Sequence, residues 1–159
     1  MTIHILQWGL FSFMIGLLLS LPLAAVHYQG SPGWTQLFTN PRKLKSAHLD
    51  FFTQAFAAGL AYVLEQTLRT PFPDYVVIPL LYGTICNPLI LLLEATPLYR
   101  SGTGRLLYFL LRGTSPAALL FAWFFIAWRF LPMQLMVALP VIAVLGALVI
   151  WSYTRRRRG

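Results

Sequence analysis

Five stretches of the chain are apolar over lengths near the roughly 20 residues that carry a helix across a hydrocarbon layer. Trp8 to Val26 is uncharged for 19 residues. From about Ala47 to Leu68 an apolar helical pattern carries Asp50 and Glu65 within it. Tyr75 to Leu93 is again uncharged for 19 residues and holds Pro79 and Pro88, which membrane helices tolerate because neighbouring groups satisfy the freed carbonyls. Gly113 to Trp128 is a shorter uncharged run, Arg129 and Pro132 interrupt it, and Phe130 to Thr154 continues without charge. The pattern predicts one all-α integral membrane bundle over residues 1–159, with helices at about 5–26, 47–68, 75–98, 113–130 and 132–154. The alternative has four spans, the segment after Gly113 then being one helix with a membrane-lying prelude.

Composition agrees with lipid as a second solvent. Hydrophobic residues make up 58% of the 159 and charged residues 10%, against about 25% charged in a soluble domain. No Lys or Arg precedes Arg42, so the first apolar run lacks the basic start of a signal peptide and reads as a retained helix. The net charge of +8 lies between and after the apolar segments, which is the distribution of membrane topology and not of a nucleic-acid-binding face. With five spans and the Arg155 to Arg158 tail in the cytoplasm, Arg42, Lys43, Lys45, Arg100, Arg105, Arg112 and the tail all lie inside, leaving Arg69 and Arg129 outside. Four spans would put about as many cations outside as inside, so the positive-inside rule favours five. Cys86 has no partner for an intrachain disulfide. The sequence carries no CxxC, HExxH, P-loop or GxSxG motif, which removes motif support for zinc, nucleotide and serine-ester hydrolysis.

Polar groups inside spans are expensive in hydrocarbon and tend to face the bundle interior. On the second predicted helix Asp50 and Gln54 lie four residues apart, with Glu65 nearly in register and Ala57, Ala58 and Ala61 between. On the third, Gly83, Asn87 and Glu94 form a matching stripe, and Pro88 frees the carbonyl of Thr84 beside Asn87. The bland reading makes these residues packing glue, which suits Glu65 and Glu94 near the span ends. The functional reading makes Gln54 and Asn87 the lining of one small pocket. His48, in the run Lys45 to Asp50, opens the second predicted helix; His4 and His27 have no organised neighbours, and three histidines so placed offer no zinc spacing. The aromatic run Trp123, Phe124, Phe125 and Trp128 reads as lipid contact and interfacial anchoring.

The pieces Asn40, Pro41, Arg42 and Ser46, Ala47, His48, Leu49, with the glycine- and leucine-rich Gly9 to Leu23 and with Tyr82, Gly83, Thr84 and Asn87, resemble the small membrane isomerases that include hydroxylaminobenzene mutase and styrene oxide isomerase. The resemblance covers roughly residues 5 to 95. In the styrene oxide branch the corresponding histidine is the axial ligand of a haem b shared between protomers of a trimer, whose ferric iron acts as a Lewis acid. The resemblance implies His48 as metal and cofactor ligand of a haem-binding homo-oligomer and puts Gln54 at that branch's substrate-contacting position; together with the pocket reading, the expected catalytic groups are Gln54, Asn87 and Tyr82, and the expected location is a bacterial inner membrane. That branch's acidic and tyrosine positions on the third helix fall at Gly83 and Leu91 here, which draws the match toward the mutase side.

The expected function is a redox-neutral rearrangement of a small apolar substrate with an N–O or C–O bond, such as a hydroxylaminoarene or an epoxide. A Lewis acid in a dry pocket polarises such an oxygen, and an amide can hold the migrating group. From another class, the runner-up is a non-enzymatic small membrane subunit or binding protein whose polar stripes only hold its helices together.

Overall fold

The computed structural model describes residues 2–69 and 71–156, and among these all regular structure is helical. The chain divides into two compact units, one running to Trp123 and the other starting at Phe124. Among the described residues four helices are long and apolar enough to cross a membrane: Ile3–Tyr28, Asp74–Ala95, Gly102–Phe130 and Met133–Arg155. The second predicted span is also a long helix, Pro41–Leu68, but its cations, His48 and two carboxylates keep it outside that apolar class.

In the first unit, α1 (Thr2–Ala24) buries Ile5, Gly9, Ser12 and Gly16, spaced three or four apart as one helix face requires. Leu10, Leu17, Leu18 and Leu21 stay exposed, an apolar outer face suited to lipid. A π-helical turn, Ala25–Gln29, follows and ends at Gly30, whose φ of 57° suits glycine because a side chain there is strained. After the short α2 (Pro32–Leu37) comes α3 (Pro41–Leu68), which lays Ala47, Phe51, Ala55, Ala58 and Ala61 against its neighbours. The seam between α1 and α3 is built from small residues. A Cβ on Gly9 would sit 3.1 Å from the Ala58 Cβ, one on Gly16 would sit 2.9 Å from the Phe52 ring, and the Ser12 hydroxyl donates to the Phe51 carbonyl at 2.9 Å. Such close backbone approach is how helices associate where lipid is as apolar as leucine.

Helix α3 begins at Pro41, earlier than the expected Ala47. Asn40 is the cap, its side chain accepting the Lys43 amide at 3.3 Å, and Pro41 fills the first helical position, where a missing N–H costs nothing. At the far end Arg69 turns into the left-handed region, and the buried Glu65 carboxylate accepts the Phe72 amide at 2.6 Å, tying α3 to the loop that opens α4 (Asp74–Ala95). Helix α4 stops at Ala95, short of the expected residue 98, because Thr96 is extended ahead of Pro97 and a 3₁₀ turn, Pro97–Arg100, takes over.

The next helix, α5 (Gly102–Phe130), starts well before the expected Gly113. Its first turns alternate buried Tyr108 and Leu111 with exposed Arg105 and Arg112, so the charges that interrupt the apolar run lie on an outer face and do not break the helix. Within the first unit α5 packs on α4 at Gly83, where a Cβ would lie 2.7 Å from that of Leu119.

The second unit holds the end of α5, a break at Leu131 and Pro132, and α6 (Met133–Arg156). The expected turn between the last two helices is therefore present. Phe124, Trp128, Met133, Val137 and Pro140 help to line an apolar recess of about 550 Å³ in this unit, and α6 is exposed from Leu139 to Arg155.

Candidate functional site

His48 lies inside α3, in its third turn, and not at a helix start as expected, because the Asn40 and Pro41 cap sets the beginning earlier. That phase turns the imidazole toward α1. Nδ1 lies 2.8 Å from the Gly16 carbonyl oxygen, and since a carbonyl only accepts, Nδ1 carries the proton. In the Nδ1–H tautomer Nε2 is a bare lone pair, and it has no hydrogen-bond partner among the described residues. Phe52, one turn on, meets the ring edge to face at 4.8 Å, so the half-buried ring is held from two sides. An imidazole that ligates through one nitrogen needs an acceptor for the N–H of the other to fix its orientation. The structure gives that role to Gly16 of α1, which the spacing along α3 alone does not reveal.

Gln54 is buried, its side-chain amide donating to the Asp50 carboxylate at 3.4 Å while its Oε1 has no partner. Asn87 is half-buried on α4, and no hydrogen bond joins it to Gln54 among the described residues. Tyr82 donates its hydroxyl proton to Thr114 Oγ1 at 2.6 Å, because the Thr114 proton is already directed at the Leu110 carbonyl, 2.7 Å away. The Tyr82 oxygen is thus left as an acceptor. Tyr82 also lines an apolar recess of about 360 Å³ with Trp8, Ile78, Leu81, Ile85 and Cys86, a lining that includes none of the other three candidates.

A second polar cluster was missed by the sequence reading except for Glu94 itself. Lys43 of α3 pairs with Glu94 of α4, the Tyr108 hydroxyl of α5 donates to the other Glu94 oxygen at 2.7 Å, and Arg112 reaches Tyr108 at 3.2 Å while lying over its ring. The Asn40 amide donates to the Ala95 carbonyl at 3.1 Å, which fixes the start of α3 at the same end of the bundle. The i, i+4 pair Tyr108 and Arg112 was the available signal, but nothing in the sequence pairs it with a glutamate on another helix.

The histidine nitrogen suits a single-point metal attachment. A ligating imidazole typically donates its other N–H to a backbone carbonyl or carboxylate, which fixes the tautomer and raises the basicity of the ligand. Three or more His, Cys, Asp or Glu side chains do not converge anywhere among the described residues, so a site built from protein ligands alone has no donor set there. A group held by one axial nitrogen is compatible with these donors. Comparison with known proteins adds no relative: no family model, curated protein or solved structure matches this chain.

Proposed function

We propose that the protein is a membrane-embedded isomerase that rearranges a small apolar substrate carrying an N–O or C–O bond. The observation that carries this reading is the His48 imidazole, pinned through Nδ1 to the Gly16 carbonyl at 2.8 Å so that the Nε2 lone pair is free to bind a metal. A haem bound there would supply a Lewis acid. The chain itself supplies three polar groups: the Gln54 Oε1 acceptor with no partner, the Asn87 amide on α4, and the Tyr82 oxygen at the mouth of an apolar recess. The Asn87 amide can donate to a migrating oxygen, while the Gln54 and Tyr82 oxygens can accept from a substrate N–H or O–H, and the apolar walls around Tyr82 strengthen the bond made there.

In this reading α3 is a fifth span. Its 28 residues extend about 42 Å, and its His48, Lys43 and Glu65 side chains meet α1, α4 and the loop before α4 respectively. The N-terminus then faces outward and the arginine tail the cytoplasm, as the loop charges favour.

Absorbance of the detergent-purified protein tests the proposal. Wild type expressed with ample haem supply should show a Soret band, and His48→Ala should lose or shift it while keeping its helical circular dichroism. A wild type without a Soret band, or an alanine variant with an unchanged one, would sink the ligand assignment. The second reading, a non-enzymatic subunit, is favoured by the way Gln54 with Asp50, Glu65 with the Phe72 amide, and Tyr82 with Thr114 bond one another.

A further inference from the structure

Where α4 gives way to α5, the chain forms a recess of about 610 Å³. Leu93, Leu98 and Leu107 make its apolar wall and Ser101 and Thr103 its polar rim. Two guanidiniums adjoin the rim in sequence, Arg100 directly before Ser101 and Arg105 directly after Gly104, and both are exposed. Each lies over an aromatic ring, Arg100 at 5.6 Å from the Tyr99 centroid and Arg105 at 5.7 Å from that of Phe109, and neither has a carboxylate partner among the described residues. The surroundings supply no spare anion. At this end of the first unit Arg42, Lys45 and Arg112 add to the positive charge, and Glu94 is already taken by Lys43 and Tyr108.

A recess with leucine and hydroxyl side chains in its lining, flanked in sequence by two exposed guanidiniums, matches an amphiphile with an anionic head and a hydrocarbon tail. We infer that this recess binds one anionic phospholipid, its phosphate bridged by Arg100 and Arg105 and an acyl chain lying along Leu93, Leu98 and Leu107. Guanidinium suits the phosphate because its planar donors meet two oxygens at once. The aromatic rings under Arg100 and Arg105 hold both side chains in place, so less freedom is lost when the head group arrives. Basic pockets at the end of a helical bundle are a recurring form of lipid recognition. The inference needs the helices to be in a bilayer but does not depend on any isomerase activity.

Native mass spectrometry of the full chain in detergent, titrated with dioleoyl phosphatidylglycerol or dioleoyl phosphatidylcholine, tests it. Wild type should retain one phosphatidylglycerol in preference to phosphatidylcholine. Each guanidinium near a charged lipid surface is worth about fivefold in affinity, so Arg100→Gln/Arg105→Gln should weaken retention roughly thirtyfold. Arg129→Gln/Arg155→Gln removes the same charge from exposed sites elsewhere and should keep wild-type retention. Leu107→Trp should block the wall and reduce retention without changing net charge. Equal retention of the two lipids, unchanged retention in Arg100→Gln/Arg105→Gln, or an equal loss in the control pair would overturn the inference. Displacement of the lipid by millimolar inorganic phosphate would also overturn it, because the ligand would then be a soluble phosphate.

Discussion

Replacing Gly83 with alanine tests the packing of α4 on α5 directly. The new methyl carbon would lie 2.7 Å from the Leu119 Cβ, 2.8 Å from its Cδ1 and 3.2 Å from its Cα. Carbon pairs rest at about 3.5–4.0 Å, so the helices must part by roughly 1 Å; Cδ1 can swing away, but Cβ and Cα belong to the root of the leucine, which no rotamer moves. Overpacking of this kind costs about 1–3 kcal/mol. Alanine recovers up to about 1 kcal/mol as a better helix former than glycine, so the expected net loss is about 0–2 kcal/mol against wild type and about 1–3 kcal/mol against a helical alanine that meets nothing. The Tyr82 to Thr114 bond at 2.6 Å joins the same helices one residue away and would stretch with them. Gly59→Ala is the control, since its Cβ would meet nothing within 4 Å, and only the propensity gain is expected there. Unfolding by sodium dodecyl sulfate from mild detergent, followed by far-ultraviolet circular dichroism, measures both. Leu119→Ala in the Gly83→Ala background removes the Cδ1 contact but leaves the Cβ contact, so rescue should be partial. A Gly83→Ala variant as stable as Gly59→Ala would refute the close approach.

Two more perturbations follow from the geometry. Glu65→Leu leaves the Phe72 amide without its 2.6 Å acceptor in a buried place and should cost about 1–3 kcal/mol in the same assay, while Glu65→Gln keeps an acceptor and should cost less; equal stability of all three proteins would remove the carboxylate from its clamping role. Reporter fusions at the two termini should report opposite sides of the membrane for five spans, and the same side at both ends would return the chain to four.

Hydrophobicity alone located the long helices, because an uncharged stretch near 20 residues has few other uses. Their ends were harder to read. The cap formed by Asn40 and Pro41 is a local signal visible in the sequence, yet the cations at 42, 43 and 45 look like a loop when the only question is where lipid begins. Arg105 and Arg112 hid the start of α5 in the same way, since an amphipathic first turn and a charged connection differ only in phase. The site was legible as residue types more than as partnerships. The positions of Gln54 and Glu65 forecast an inward face, and both are buried. What orients His48 is a carbonyl on another helix, and a backbone acceptor leaves no trace in residue identity.

The α1–α3 seam bears on how such a chain enters the bilayer. An isolated α3 would present Asp50, Gln54, His48 and Glu65 to hydrocarbon, and each would oppose partition on its own. Paired with α1, the same helix finds the Gly16 carbonyl for its histidine and a small-residue track for its backbone. Insertion of a five-span protein would then be cooperative: α1 is made first, waits at the membrane, and acts as an internal chaperone for the polar helix that emerges after it. Mutations that fill Gly9 or Gly16 would accordingly show up as failed biogenesis before any defect in the finished protein could be measured.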